Sequence, residues 1–236
     1  MTKPYTRQVF ELRYLPLFRF FDCRSKLLEE LYRDPKTKKN NFEHWQLGAD
    51  RVHLFDADQK RAFFVTFSNC GFTCENPATE GFSKDQIMKY MTLTSEVIGE
   101  NIEEIQRVGF RQIRVVPVED LQDTKRLLKE VFIRTDSQFF RELESPIVDF
   151  TLLPLVFKHG DHSFQITLGP ATKQELEQRL GSISDLPETS LYFDVDYFSL
   201  KPNFTRGLRL GISDFLNHSH ETLGKITEQL MSMKII

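Results

Sequence analysis

Two rhythms of apolar and polar positions run along the chain. From residue 83, apolar or small side chains fall at Met88, Met91, Ser95, Ile98, Ile102 and Ile105, in steps of three and four. That spacing keeps one stripe on one side of a helix. Phe82 supplies a staple residue, Ser83 an N-cap and Gln86 the capping-box partner. The pattern predicts a long helix that Gly109 stops, followed directly by a strand from Phe110 towards Val118. A second stripe, Ile212, Leu216, Ser219, Leu223, Ile226, Leu230 and Met233, predicts a closing helix over 212–234. Each stripe has to be buried, and the nearest partner is a sheet. The same strict alternation would also suit a coiled-coil seam, with Ser95 and Ser219 allowing close approach to a neighbour.

The other rhythm has period two and marks strands. Residues 5–14 set Phe10, Leu12 and Tyr14 against Glu11 and Arg13. Residues 51–55 and 61–67 form a hairpin around a polar turn, and a short strand follows at 72–74. Residues 148–158 and 162–168 form another hairpin, turned by His159-Gly160-Asp161. Over 190–199, Leu191, Phe193, Val195 and Tyr197 alternate with Tyr192, Asp194, Asp196 and Phe198. Shorter helices are predicted at 22–33, 119–143 and 173–180, the last closed by Gly181. The fold class this predicts is α+β, in two related halves. Each half is an antiparallel-rich sheet covered by one long amphipathic helix, over 1–118 and 145–236, with a helical connector at 119–144.

Composition adds little to this. Hydrophobic residues make up 40% of the 236 positions and Phe alone contributes 22, which suits well-packed cores that need no hydrogen-bond partners. A net charge of −3 gives no global reason to expect nucleic acid. The three cysteines, Cys23, Cys70 and Cys74, without an apolar leader, predict free thiols in a reducing cytoplasm. No apolar run is long enough for a membrane helix, so no membrane partner is expected.

Several stretches carry a resemblance. Asn76-Pro77-Ala78-Thr79, Phe82, Tyr90 and Arg107-Val108-Gly109-Phe110-Arg111 are followed by Phe193-Asp194-Val195-Asp196-Tyr197-Phe198, His220-Glu221 and Ile226-Thr227. In that order they resemble a sporadically distributed family of bacterial conserved hypothetical proteins. The resemblance implies a bacterial cytoplasmic protein of α+β fold, and implies no reaction.

Four groups of residues could carry chemistry. Arg107, Arg111 and Arg114, around Gly109, form a basic cluster suited to an anion or an acidic partner, though Arg111 could equally enter an internal salt bridge. Asp194 and Asp196 project from one face of a strand and could hold a divalent cation with His159 or His162. They could instead pair with Lys201, Arg206 or Arg209 nearby. Cys70 and Cys74 have the spacing of a metal half-site, but buried thiols are the simpler expectation. His220 is expected to pack or cap. Lys36, Lys38 and Lys39 form a basic loop through which nucleic acid could be touched. No acid, base and nucleophile set converges and no Gly-rich phosphate loop is present, so no cofactor is expected. The reading is a non-enzymatic interaction or adaptor protein of a bacterial cytoplasmic system, associated with defence or a mobile element. Its partner would be another protein or a second copy of itself. A metal-dependent enzyme acting on phosphodiesters and a nucleotide- or anion-sensing module stay open as alternatives.

Overall fold

The computed structural model describes residues 4–34, 37, 39–58, 60–79, 81–98, 102, 104–132, 152–181, 183 and 185–232, without the side chains at 159, 231 and 232. In chain order the elements are β1 (Tyr5–Tyr14), α1 (Arg19–Tyr32), β2 (His44–Leu47), β3 (Arg51–Phe55), β4 (Arg61–Thr66), β5 (Asn69–Glu75) and α2 (Phe82–Ile98). Then follow β6 (Ile105–Pro117), α3 (Leu121–Phe132), β7 (Leu153–His159), β8 (His162–Thr172), α4 (Lys173–Leu180), β9 (Thr189–Leu200) and α5 (Leu208–Ser232).

The nine strands form one antiparallel sheet in the order β2-β3-β4-β5-β1-β6-β9-β8-β7. The α+β class holds, but the strands do not divide into a sheet for each half. β6 and β9 pair from Arg107↔Leu200 to Pro117↔Ser190, and this long ladder fuses the strands of both halves into one layer. The first strand of the chain lies in the interior of the sheet, between β5 and β6.

Alternation decides what each face carries. Phe10 faces Phe72 on one side and Phe110 on the other, and Phe110 faces Tyr197, so these side chains share one face of the sheet. That face carries the main core, with Phe63, Phe193 and Val195, under α1, α2 and α5. A smaller core on the opposite face, Tyr5, Ile113, Val115 and Tyr192 with Leu176 and Leu180 of α4, covers only one end. Helix α4 starts at a capping box, in which Thr172 and Glu175 satisfy each other's backbone N–H.

The long helix is shorter than its stripe predicts. α2 ends at Ile98, and Ile105 and Gly109 belong to β6. Ile102 and Ile105 continued the helical spacing by coincidence. The buried stripe of α2 is also rotated, running through Ser83, Ile87, Tyr90, Met91, Thr94, Val97 and Ile98, while Ser95 is half-buried. The predicted stripe of α5 is buried at Ile212, Leu216, Ser219, Leu223 and Leu230, and Ile226 within it is half-buried. The final position of that stripe, Met233, and the second half of the predicted connector, 133–144, lie outside the described residues. α2 and α5 touch each other as well as the sheet: Lys84 at the start of α2 donates to the Asn217 side chain on α5.

The three thiols report on this packing. Cys70 and Cys74 of β5 are buried beneath the helical layer, with Cys70 Sγ 3.4 Å from Met91 Sδ, and burial pushes both thiols up. Cys23 on α1 is half-buried. An aromatic disulfide reagent at mildly alkaline pH is therefore expected to modify Cys23 alone in the native protein, and all three thiols in guanidinium. Rapid native modification of Cys70 or Cys74 would contradict this packing.

Candidate functional site

The face opposite the main core is where the charged candidates meet. The period-two alternation sends Glu11 and Arg13 of β1, Arg107 and Arg111 of β6, and Asp194 and Asp196 of β9 out on this side. Among the described residues it is covered at one end, by α4 with Ile183 and Leu186 over Tyr192 and Val115, and none of their helices lies over its middle.

Two arginine–carboxylate pairs lie across β6 and β9. Arg111 donates to Asp194 through Nε at 2.8 Å and Nη2 at 2.6 Å, a bidentate geometry that fixes both planes. Tyr192 Oη donates to the same carboxylate at 3.0 Å. Arg107 reaches Asp196 with Nη2, at 3.0 and 2.7 Å from the two oxygens, and Glu11 with Nη1 at 3.1 Å. Arg13 joins at the edge, 2.9 Å from the same Glu11 oxygen. The Arg107 guanidinium also lies 5.0 Å from the centre of the Phe198 ring.

Gly109 makes that placement possible. A Cβ there would meet the Arg107 guanidinium, its Cζ at 2.8 Å, because the side chain folds back across the strand. The glycine that was expected to stop a helix instead clears the floor of the site.

The protonation preferences follow from burial and pairing. The hydrogen bond to Asp194 leads the effects that raise Arg111, keeping it charged. Burial first, and then the negative charge of Asp194, push the Tyr192 hydroxyl up to about 12, so it donates at neutral pH. Burial pushes the Asp196 carboxyl up in spite of Arg107 beside it.

The arginines expected as an anion site and the aspartates expected as a metal site are thus two sides of one network. The aspartates do not pair with Lys201, Arg206 or Arg209. They sit on an interior strand and take Arg107 and Arg111 from β6. Arg114 is not part of the network, because its even position in β6 projects it to the covered face with Phe110. His162 is on the covered face too, stacked on Tyr197 at 5.3 Å, with the sheet between it and both aspartates. It lines a separate hollow of about 280 Å³ with Asp161, Ser199, Arg206, Asp214 and His218. His159 pairs with His162 through the backbone at the hairpin end, and its side chain is outside the described residues. Among the described residues no three His, Cys, Asp or Glu side chains converge as metal ligands. Lys39 is exposed in its loop, whereas Lys36 and Lys38 lie outside the described residues. His220 packs its ring 4.8 Å from that of Phe110, as a helix-to-sheet contact.

Sequence reasoning missed Glu11, Gln165, Thr167, Tyr192 and Phe198. Alternation had already set Glu11 opposite the apolar face of β1, and Tyr192 and Phe198 on the same face as the aspartates, without assigning them to the site. Gln165 and Thr167 join through the β8–β9 register, Gln165↔Asp196 and Thr167↔Asp194, which lies beyond any local signal. With Arg111, Asp194 and Asp196 they line a polar hollow of about 180 Å³.

The network predicts an asymmetry between its members. Asp194 is almost wholly enclosed, whereas the Arg111 side chain is 47% exposed. Arg111→Ala leaves an enclosed carboxylate without its counter-charge and is expected to cost about 2–3 kcal/mol. Asp194→Ala leaves a guanidinium free to turn to water and is expected to cost about 1–2 kcal/mol, mostly through the Tyr192 hydroxyl. The double variant is expected to lose less than the sum of the two. Urea titrations of the three variants check this, and equal or reversed single costs would contradict it.

No family model matches the chain, and no curated protein matches it either. No helix among the described residues is long and apolar enough to cross a membrane.

Proposed function

We propose that the chain is a non-enzymatic interaction protein that docks another protein on the sheet face opposite the main core, whose middle the helices among the described residues leave open. The observation carrying this reading is the charge-matched row on that face, where Arg107, Arg111 and Arg13 are interlocked with Glu11, Asp194 and Asp196. Nucleic acid would require a surplus of cations to replace its counterions, and this row has none. A protein surface can instead match alternating charges one by one, which gives register and partner choice. Half-buried aromatic side chains lie on the same face. Arg51 lies 5.5 Å from the centre of the Phe64 ring, and the His53 ring lies tilted 5.0 Å from that of Phe55. Arginine and large aromatics are the residues that interfaces concentrate. The setting belongs to the same proposal: a bacterial cytoplasmic system associated with defence or a mobile element.

A photo-crosslinking amino acid tests the reading. Placed at Thr73, on the open face beside Val9, it is expected to capture one stoichiometric partner in the native host, with a second copy of the chain appearing as a crosslinked dimer. Placed at the exposed Glu29 of α1 it is expected to capture none. Equal capture at both positions, or none at Thr73, would refute it.

A further inference from the structure

We infer that the hollow over β6, β9 and β8 is a binding site for a small zwitterion, an α-amino acid of modest size. The inference goes beyond protein docking and stands without it. Its walls offer both signs of charge at short range: the Arg111 guanidinium on one side and the Asp194 and Asp196 carboxylates on the other. Arg111 spends Nε and Nη2 on Asp194, and Nη1 takes no part in that pair. Each carboxylate oxygen of Asp196 keeps acceptor capacity beyond Arg107. Gln165, which is exposed, and Thr167, which is half-buried, complete the wall. An exposed amide and a half-buried hydroxyl, beside a guanidinium and a carboxylate with capacity to spare, form a set that a single ligand can bridge.

Charge selects the ligand class. A bare anion would meet Asp194 and Asp196 beside Arg111, and a bare cation would meet Arg111. A molecule carrying a carboxylate and an ammonium a few ångströms apart meets each wall with the opposite sign. Its carboxylate would take Arg111 Nη1 and the Thr167 hydroxyl. Its ammonium would take Asp196 and the Gln165 carbonyl oxygen. The burial that pushes Asp196 up is what a second cation beside it would relieve. Size agrees: a cavity of about 150 Å³ holds benzene, so this hollow admits roughly seven to ten non-hydrogen atoms.

The test is a melting-temperature and calorimetric screen of the intact chain against the proteinogenic L-amino acids, one at a time. At least one is expected to raise Tm by about 5 °C at saturation. Its N-acetyl and α-amide forms, each lacking one charge, are expected to bind at least about tenfold more weakly. Gln165→Ala combined with Thr167→Val should leave the unliganded Tm unchanged and weaken binding by a similar factor, since neither side chain supports the fold. A flat screen, a ligand whose blocked forms bind equally well, or full affinity in the double variant would each overturn the inference.

Discussion

Cutting Tyr90 back to alanine is expected to lower the stability of the fold by about 4–5 kcal/mol, a larger loss than either truncation in the charged network. Tyr90 projects from α2 into the main core and is 1% exposed. Its ring lies 5.1 Å from Phe42, 5.2 Å from Phe63 and 6.0 Å from Phe72, so one side chain ties a loop, β4 and β5 to the helix. Removing it leaves a void that three rings on separate elements cannot close together, and it forfeits the aromatic contacts as well. Its hydroxyl donates to Gln86 Oε1 at 3.0 Å, and burial pushes it up to about 12. Tyr90→Phe removes only that bond and is expected to cost about 1 kcal/mol. Urea titration of both variants separates the two contributions. A loss below about 2 kcal/mol for Tyr90→Ala would mean that the site collapses, and that the helix is not pinned by this ring.

Gly71→Val is expected to cost about 3–4 kcal/mol, for a different reason. Gly71 lies in β5 opposite Glu11 of β1. A Cβ there would stand 2.7 Å from Cε1 of Phe64 and 2.8 Å from the backbone oxygen of Phe10. The ring could turn away, but the carbonyl belongs to the strand ladder and cannot move without breaking it. A side chain at position 71 therefore strains the middle of the sheet and pushes Phe64 off the open face, taking the Arg51 contact with it. Gly71→Ala is expected to show about half the effect. The midpoint of urea unfolding should fall with an unchanged slope, and a wild-type midpoint would contradict the close approach.

How much of this was legible in the residues depends on the range of the interaction. Local patterns gave true elements: the alternation of residues 5–14 is β1, the stripe of Ile212, Leu216 and Ser219 is α5, and Gly181 does close α4. The strand His44-Trp45-Gln46-Leu47 was missed because it is four residues long and exposed throughout, so no alternation marks it. The expectation of a sheet for each half failed on one non-local fact, the ladder that joins β6 to β9. The same ladder explains the site. Arg111 and Asp194 are 83 positions apart, and each looked like half of a different chemistry until the register set them face to face. Arg114 and His162 were grouped with them by sequence proximity and residue type, but the pleat sends both to the other side.

The most direct test of docking on the open face is to exchange the two charges, Arg111→Asp together with Asp194→Arg, and to follow stability and partner capture in parallel. Each single change places like charges together and is expected to lose both. The exchanged pair restores opposite charges across β6 and β9 and is expected to recover most of the stability. It presents the partner with the reverse pattern, so crosslinking from Thr73 should stay lost. Undiminished crosslinking from the exchanged protein would contradict docking through this row, because the row would then support the sheet without being read by anything outside it.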